Sequence, residues 1–258
     1  MKPVVFPKFA MIERFFQKTV DYSGLVLYSI HTMNAEICPN AEVRPNFVAV
    51  ENYFGSISKT EVDRHINLWD KLVPIDNPTI FRRYLFAFLS VHTTWENNVN
   101  AYKLIHNYDQ WINDNASLYN LLIKSGVGLQ NQRLRFISNF TTAFWSNPEF
   151  YSKYTNETWL DCRKRIEANI LGLGLAKSSF ALEMIYPMNV EVTCLDTHMF
   201  QLYGLNQTKH KRFYKTLESH WISCCKQVNI SSYIARCIHW NRNQNQSDCT
   251  YWCYVFQA

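Results

Sequence analysis

Beyond about residue 80, apolar residues recur at helical spacing through most of the chain. Ile80, Tyr84, Phe88 and Val91 follow one another at three- and four-residue steps, which sets them on one face of a helix. Nearly everything between them is apolar, so this helix is expected to be central. Thr158 followed by Asp161 has the form of a capping box, and Trp159, Cys162, Ile166 and Ile170 then share a face. A further helix is predicted from about Leu175 to Ile185, with Leu175, Leu182 and Ile185 inward and Pro187 closing it. Asp196 is a good N-cap for a short helix carrying Met199, Leu202 and Tyr203, and Gly204 stands where a left-handed C-cap would. Pro3, Pro7, Pro39, Pro45 and Pro74 break the first 75 residues into short pieces. The pattern predicts an all-α chain with an irregular N-terminal segment.

Of the 258 residues, 47% are apolar and 18% charged, the balance of a folded domain rather than a disordered one. Only seven glycines occur, where ordinary usage gives roughly eighteen. That disfavours a glycine-rich nucleotide-binding or β-barrel architecture. A net charge of +5 and a pI near 8.7 suit contact with a polyanion without requiring it. The apolar run Tyr84–Leu89 is far too short to cross a membrane. The N-terminus lacks the apolar core of a signal peptide, so a cytoplasmic protein without a membrane partner is expected, and Asn139-Phe140-Thr141 is a chance glycosylation triplet. Among the cysteines, Cys38, Cys162 and Cys194 stand alone, while Cys224, Cys225, Cys237, Cys249 and Cys253 cluster near the C-terminus. They read as buried reduced thiols. The alternative, a zinc or iron–sulfur site in the C-terminal group, has gaps that match no common ligand spacing. No metal and no cofactor are expected.

Four of the glycines form two pairs between predicted helices, in Ser125-Gly126-Val127-Gly128-Leu129-Gln130-Asn131 and in Leu171-Gly172-Leu173-Gly174-Leu175-Ala176-Lys177. Two helices meet through so tight a hairpin only where glycine supplies the backbone freedom. Leu171, Leu173 and Leu175 are expected to tuck under the second turn. The amides around Gly172 and Gly174 are then left at a helix N-terminus, placed to bind a phosphate with Lys177 beside them. The same run also reads as an ordinary helix–helix turn.

Asp196 lies twenty residues beyond Ala176, in Leu195-Asp196-Thr197-His198-Met199. The hairpin, this spacing and the Asp-Thr-His helix start resemble the helix-hairpin-helix DNA glycosylase superfamily, whose best-known member is endonuclease III. Leu89-Ser90-Val91-His92-Thr93-Thr94 and Gly128-Leu129-Gln130-Asn131-Gln132-Arg133 resemble two further segments of that family, in family order, so the likeness covers about residues 80 to 205. The resemblance implies an all-α, two-lobed fold with a DNA-binding cleft between lobes. It maps 85–186 to a central lobe carrying the hairpin, and 1–84 with 187–258 to a second lobe built from both termini.

The resemblance further implies double-stranded DNA as partner, gripped by Leu171, Gly172, Leu173, Gly174, Leu175 and Lys177. His92, Leu129 and Gln130 take the positions that plug the gap left by a flipped nucleotide. They also read as a helix-surface histidine and a loop pair. Asp196 matches the catalytic aspartate, a carboxylate that stabilises the oxocarbenium ion and orients water; it also reads as a plain helix cap. The attacking lysine of strand-cleaving members aligns with Ala176. Lys177 stands one step later, turned by ~100° on a helix, so it is expected to face away from the cleft. Direct hydrolysis by a monofunctional enzyme is then expected, with a local hairpin shift making Lys177 catalytic instead. The Gly-Leu-Gly-Leu-Ala-Lys-Ser-Ser-Phe and Cys-Leu-Asp-Thr-His-Met runs look closer to the phage-associated α-glutamyl/putrescinyl-thymine pyrophosphorylase branch. That implies a modified pyrimidine with a bulky C5 group as target, in repair or anti-phage defence. The alternative is a transferase attaching an amine or amino acid to an activated 5-hydroxymethyl pyrimidine, or a DNA-binding module without chemistry. Trp95, Trp145, Tyr203, Trp240 and Trp252 are candidates to stack on a flipped base, but as large aromatics they read first as core residues.

Overall fold

In a computed structural model of the chain, residues 43–245 and 251–256 are described, and every regular element among them is helical. The first two helices correct the expectation of an irregular N-terminal segment over this stretch. α1 (Phe47–Gly55) starts where Asn46 Oδ1 accepts the Ala49 N–H at 3.0 Å. α2 (Lys59–Asp70) starts at a reciprocal capping box between Ser58 and Glu61. Pro45 and Pro74 fall outside both helices and punctuate them rather than break them. Pro3, Pro7 and Pro39 lie outside the described residues.

The central helix α3 (Asn77–Leu89) is capped by Asp76 and Thr79, with proline in its first turn, where a missing N–H costs nothing. Phe81, Leu85, Phe86 and Leu89 are all fully buried, each contributing about 1.5–3 kcal/mol by leaving water. Around α3 pack α4 (Trp95–Ile105), α5 (Asn115–Ser125), α6 (Gln130–Ser146), α7 (Trp159–Asn169) and α8 (Leu175–Ile185). α7 begins at the Thr158 cap, with Cys162 and Ile166 buried, and α8 has the bounds its periodicity predicts. α9 (Thr197–Leu202), α10 (Tyr214–Val228), α11 (Ser232–Asn243) and α12 (Tyr251–Phe256) follow.

Arg44–Ala258 form one compact unit with two apolar clusters. The larger joins α2 to α8 with α11 and α12. The smaller unites Val50, Tyr53 and Phe54 of α1 with Met199, Phe200, Leu217, Trp221 and Ala235. α11 contributes to both, through Tyr233 and Ile238 on one side and Ala235 on the other. Cys162, Cys194, Cys224 and Cys225 are buried free thiols, and Cys237 is buried as well; Cys38 and Cys249 lie outside the described residues. No described helix is long and apolar enough to cross a membrane.

Candidate active site

The glycine hairpin joins α7 to α8 as its sequence predicts, but its two glycines do different work. Gly172 has φ +97°, and a Cβ there would stand 2.3 Å from Phe136 Cδ2, so both backbone and space demand glycine. Gly174 is the extended N-cap of α8, with no side chain capping the first N–H groups of that helix. The three leucines do not all tuck under the turn. Leu173 is buried, Leu175 is half-buried, and Leu171 is 55% exposed, because the left-handed Gly172 turns the chain between the first and second.

Asp196 caps α9: its Oδ1 accepts the Met199 N–H at 3.1 Å. The approach to it is pinned from several elements. Tyr214 donates its hydroxyl to Thr193 O at 2.7 Å and accepts from the Leu195 N–H at 3.1 Å. Gln207 Nε2 donates to Leu195 O at 3.0 Å. Glu218, ion-paired with buried Arg163 of α7, accepts the Thr193 N–H at 3.0 Å. The carboxylate is thus fixed in position while its side chain stays 30% exposed.

A pocket opens around this carboxylate, where the start of α4, the first turns of α8 and α9, α11 and α12 converge. Asp196, Lys177, Arg236 and Asn98 supply its polar wall; Phe180, Trp95, Trp240 and Trp252 supply aromatic faces; Cys194, Thr197 and His198 complete the rim near α9. Its volume is about 220 Å³, and it is open to solvent on one side. Trp95 stands 4.9 Å from Trp252 and 5.9 Å from Trp240 between ring centroids. Of the candidate stacking residues, these three line the pocket. Trp145 and Tyr203 do not: Trp145 packs against the larger apolar cluster and Tyr203 is fully buried in the smaller.

Lys177 departs from expectation. Rather than facing away, it shares the pocket with Asp196. Ala176 packs against the apolar cluster, while the Lys177 stem passes Phe180, its Nζ 5.5 Å from the ring centroid. Four methylenes reach around a ~100° helical step that a shorter side chain would not span. Burial lowers the Lys177 pKa below the ordinary lysine value, and Cys194 and Asp196 pull it partly back.

Two groups of this site were not singled out from sequence. Arg236 donates from Nε to both Glu183 oxygens at 3.0 Å and from Nη2 at 2.8 Å, and its Nη1 stands 3.7 Å from Asp196 Oδ2. Burial opposes the Arg236 charge, but Glu183, Cys194 and Asp196 hold its pKa above the ordinary guanidinium value. Thr193 Oγ1 donates to Glu183 Oε1 at 3.0 Å. The signal was there: Arg236 and Glu183 each interrupt an apolar run, and a charge buried in such a run needs a partner. Asn98, 2% exposed, has a side-chain Oδ1 with no hydrogen-bond partner. Only its place three residues after Trp95, on the same helix face, pointed to it. His92, Leu129 and Gln130 lie away from this pocket wall; His92 and Leu129 are exposed and Gln130 half-buried.

The fold that carries this pocket has counterparts among solved structures. The 8-oxoguanine DNA glycosylase of Methanocaldococcus jannaschii superposes with a TM-score of 0.62 at 19% identity, covering 78% of this chain and 94% of its own. The fold is that of the helical DNA glycosylases. The M. jannaschii 8-oxoguanine glycosylase/lyase in complex with a 15mer DNA containing 8-oxoguanine gives 0.60 at 19% identity, over 78% and 97% of the two chains. The Thermotoga maritima 8-oxoguanine DNA glycosylase gives 0.56 at 14%, over 78% and 96%. At the level of sequence, no protein-family model and no curated protein matches the chain.

Proposed function

We propose that this protein is a DNA glycosylase that flips a modified base out of double-stranded DNA and cleaves its N-glycosidic bond, with Asp196 as the catalytic carboxylate. One observation carries the reading: Asp196 is fixed at a helix start, yet open to a base-sized pocket walled by Trp95, Phe180, Trp240 and Trp252. Bond cleavage leaves positive charge on the sugar, and a fixed carboxylate beside it stabilises the transition state without reorganising. Water attacks C1′, its proton passes to Asp196, and the glycosidic electrons leave with the base nitrogen. The uncapped amides at the start of α8 and exposed Leu171 form the surface that grips the DNA backbone.

A second reading is favoured by Lys177 lying in the same pocket as Asp196. Its neutral amine attacks C1′ in place of water while the glycosidic electrons leave with the base. The nitrogen sheds a proton, the C1′–O4′ bond opens to give an iminium with the ring oxygen protonated, and removal of a C2′ proton then expels the 3′ phosphate. Two kinds of base merit test. The Gly-Leu-Gly-Leu-Ala-Lys resemblance supports a C5-substituted pyrimidine, and the solved structures, a purine oxidised at C8.

The experiment incubates the protein with duplexes carrying 8-oxoguanine or ordinary, hydroxymethylated, glucosylated or amine-modified pyrimidines, scoring released base, breaks before and after alkali, and borohydride-trapped adducts. Base release with breaks only after alkali supports hydrolysis; a trapped adduct lost in Lys177→Met supports the amine. With a pyrophosphorylated 5-hydroxymethyl pyrimidine in the duplex and a free amine added, intact strands that gain the amine's mass as pyrophosphate leaves would instead establish a transferase, and no reaction on any duplex would overturn the proposal.

A further inference from the structure

Arg133 of α6 is 3% exposed, and its guanidinium is spent on backbone carbonyls. Nε donates to Gly128 O at 2.9 Å, Nη2 to Val91 O at 2.5 Å and to Val127 O at 3.4 Å, and Nη1 to Phe88 O. Phe88 and Val91 belong to the end of α3 and the turn after it; Val127 and Gly128 belong to the loop before α6. The carbonyl immediately preceding His92 and the carbonyl immediately preceding Leu129 are therefore held by one planar group. Both following residues have left-handed backbone, φ 49° for His92 and 53° for Leu129, and both side chains are exposed. Non-glycine residues rarely adopt that region unless their surroundings impose it.

We propose that Arg133 is a positioning residue which locks His92 and Leu129 into one rigid wedge for the gap that a flipped nucleotide leaves, an inference that rests on the base-flipping reading above. Two exposed side chains on separate loops fill such a gap only if ordering them costs little at the moment of binding. The clamp prepays that ordering in the free protein. Arginine suits it because five N–H donors in a flat fork reach carbonyls of two segments at once, whereas a lysine ammonium is a single point.

The test reads flipping directly, by the fluorescence rise of 2-aminopurine placed beside the target base in a duplex. Arg133→Met, Arg133→Lys, the double variant His92→Ala/Leu129→Ala and the triple variant with Arg133→Met are compared with the parent. Anisotropy with an abasic-site duplex reports backbone grip separately. Arg133→Met and the double variant are each expected to lose roughly tenfold in the flipping equilibrium, and the triple variant no more than the double. Abasic-site affinity stays within about threefold of the parent in all of them. Arg133→Lys falls between, and it carries the comparison if the methionine variant does not fold. Parental flipping by both Arg133 variants, or a triple variant that loses the product of the separate factors, overturns the wedge. A parent protein that gives no fluorescence rise on any duplex it binds overturns base flipping, and the wedge with it.

Discussion

Glu183→Gln tests whether the charge cluster behind Asp196 is as tightly coupled as its geometry says. The Glu183 side chain is fully buried and that of Arg236 is 8% exposed. The substitution keeps the shape and removes the charge that faces the guanidinium in three contacts of 2.8–3.0 Å. Arg236 cannot give up its proton, so it remains a buried cation with Asp196 at 3.7 Å as its nearby carboxylate. Breaking a buried pair from one side costs about 3–5 kcal/mol, a large part of a domain stability of about 5–15 kcal/mol. With a urea m-value of about 3 kcal/mol/M, the midpoint falls by about 1–2 M. Replacing both partners with apolar residues, Glu183→Leu with Arg236→Met, leaves no orphaned charge. The double variant should then lie within about 1–2 kcal/mol of the parent and above either single variant. The assay is urea unfolding followed by circular dichroism and tryptophan fluorescence. A Glu183→Gln variant that loses less than about 1 kcal/mol at unchanged m, or a double variant as unstable as the single, would refute this reasoning.

Other consequences follow at separate sites. Gly172→Ala forces a Cβ onto the Phe136 ring in a left-handed conformation; thermal melting should show a loss of about 2–4 kcal/mol, and an unchanged melting temperature would contradict the steric account. Asn98→Leu removes an amide oxygen that is buried without a partner. It should leave stability equal or raised by about 1 kcal/mol, and a clear fall in stability on urea unfolding would contradict it. If the Lys177 amine attacks, borohydride trapping rises with pH as the ammonium loses its proton. Because burial lowers that pKa, the rise should level off below the ordinary lysine value of 10.5; a trapping curve still rising above it would contradict the buried environment.

Local signals carried much of this fold in the sequence. α8 runs from Leu175 to Ile185 because a glycine cap, an apolar face and Pro187 all act within a few residues of its ends. Asp196 was legible as a cap for the same reason. The capping box of Ser58 and Glu61 is equally local, but Pro45 and Pro74 on either side of these helices give the stretch the look of irregular structure. What sequence could not place was decided by pairing across elements. Arg236 meets Glu183 of α8, and Arg133 gathers carbonyls from two loops. A turn of ~100° per residue describes side chains as rigid spokes, whereas the lysine stem of Lys177 is long enough to bend past Phe180 into the pocket.

Asp196→Asn tests the central claim most directly, because asparagine caps a helix about as well as aspartate and so separates the structural role from the chemical one. Single-turnover excision would be followed on the modified duplex that the parent cleaves, with affinity measured on the same DNA. The account predicts a folded variant with parental DNA affinity and excision slowed by at least roughly a hundredfold. Parental excision by Asp196→Asn would contradict it, leaving Asp196 as a helix cap and the chemistry elsewhere.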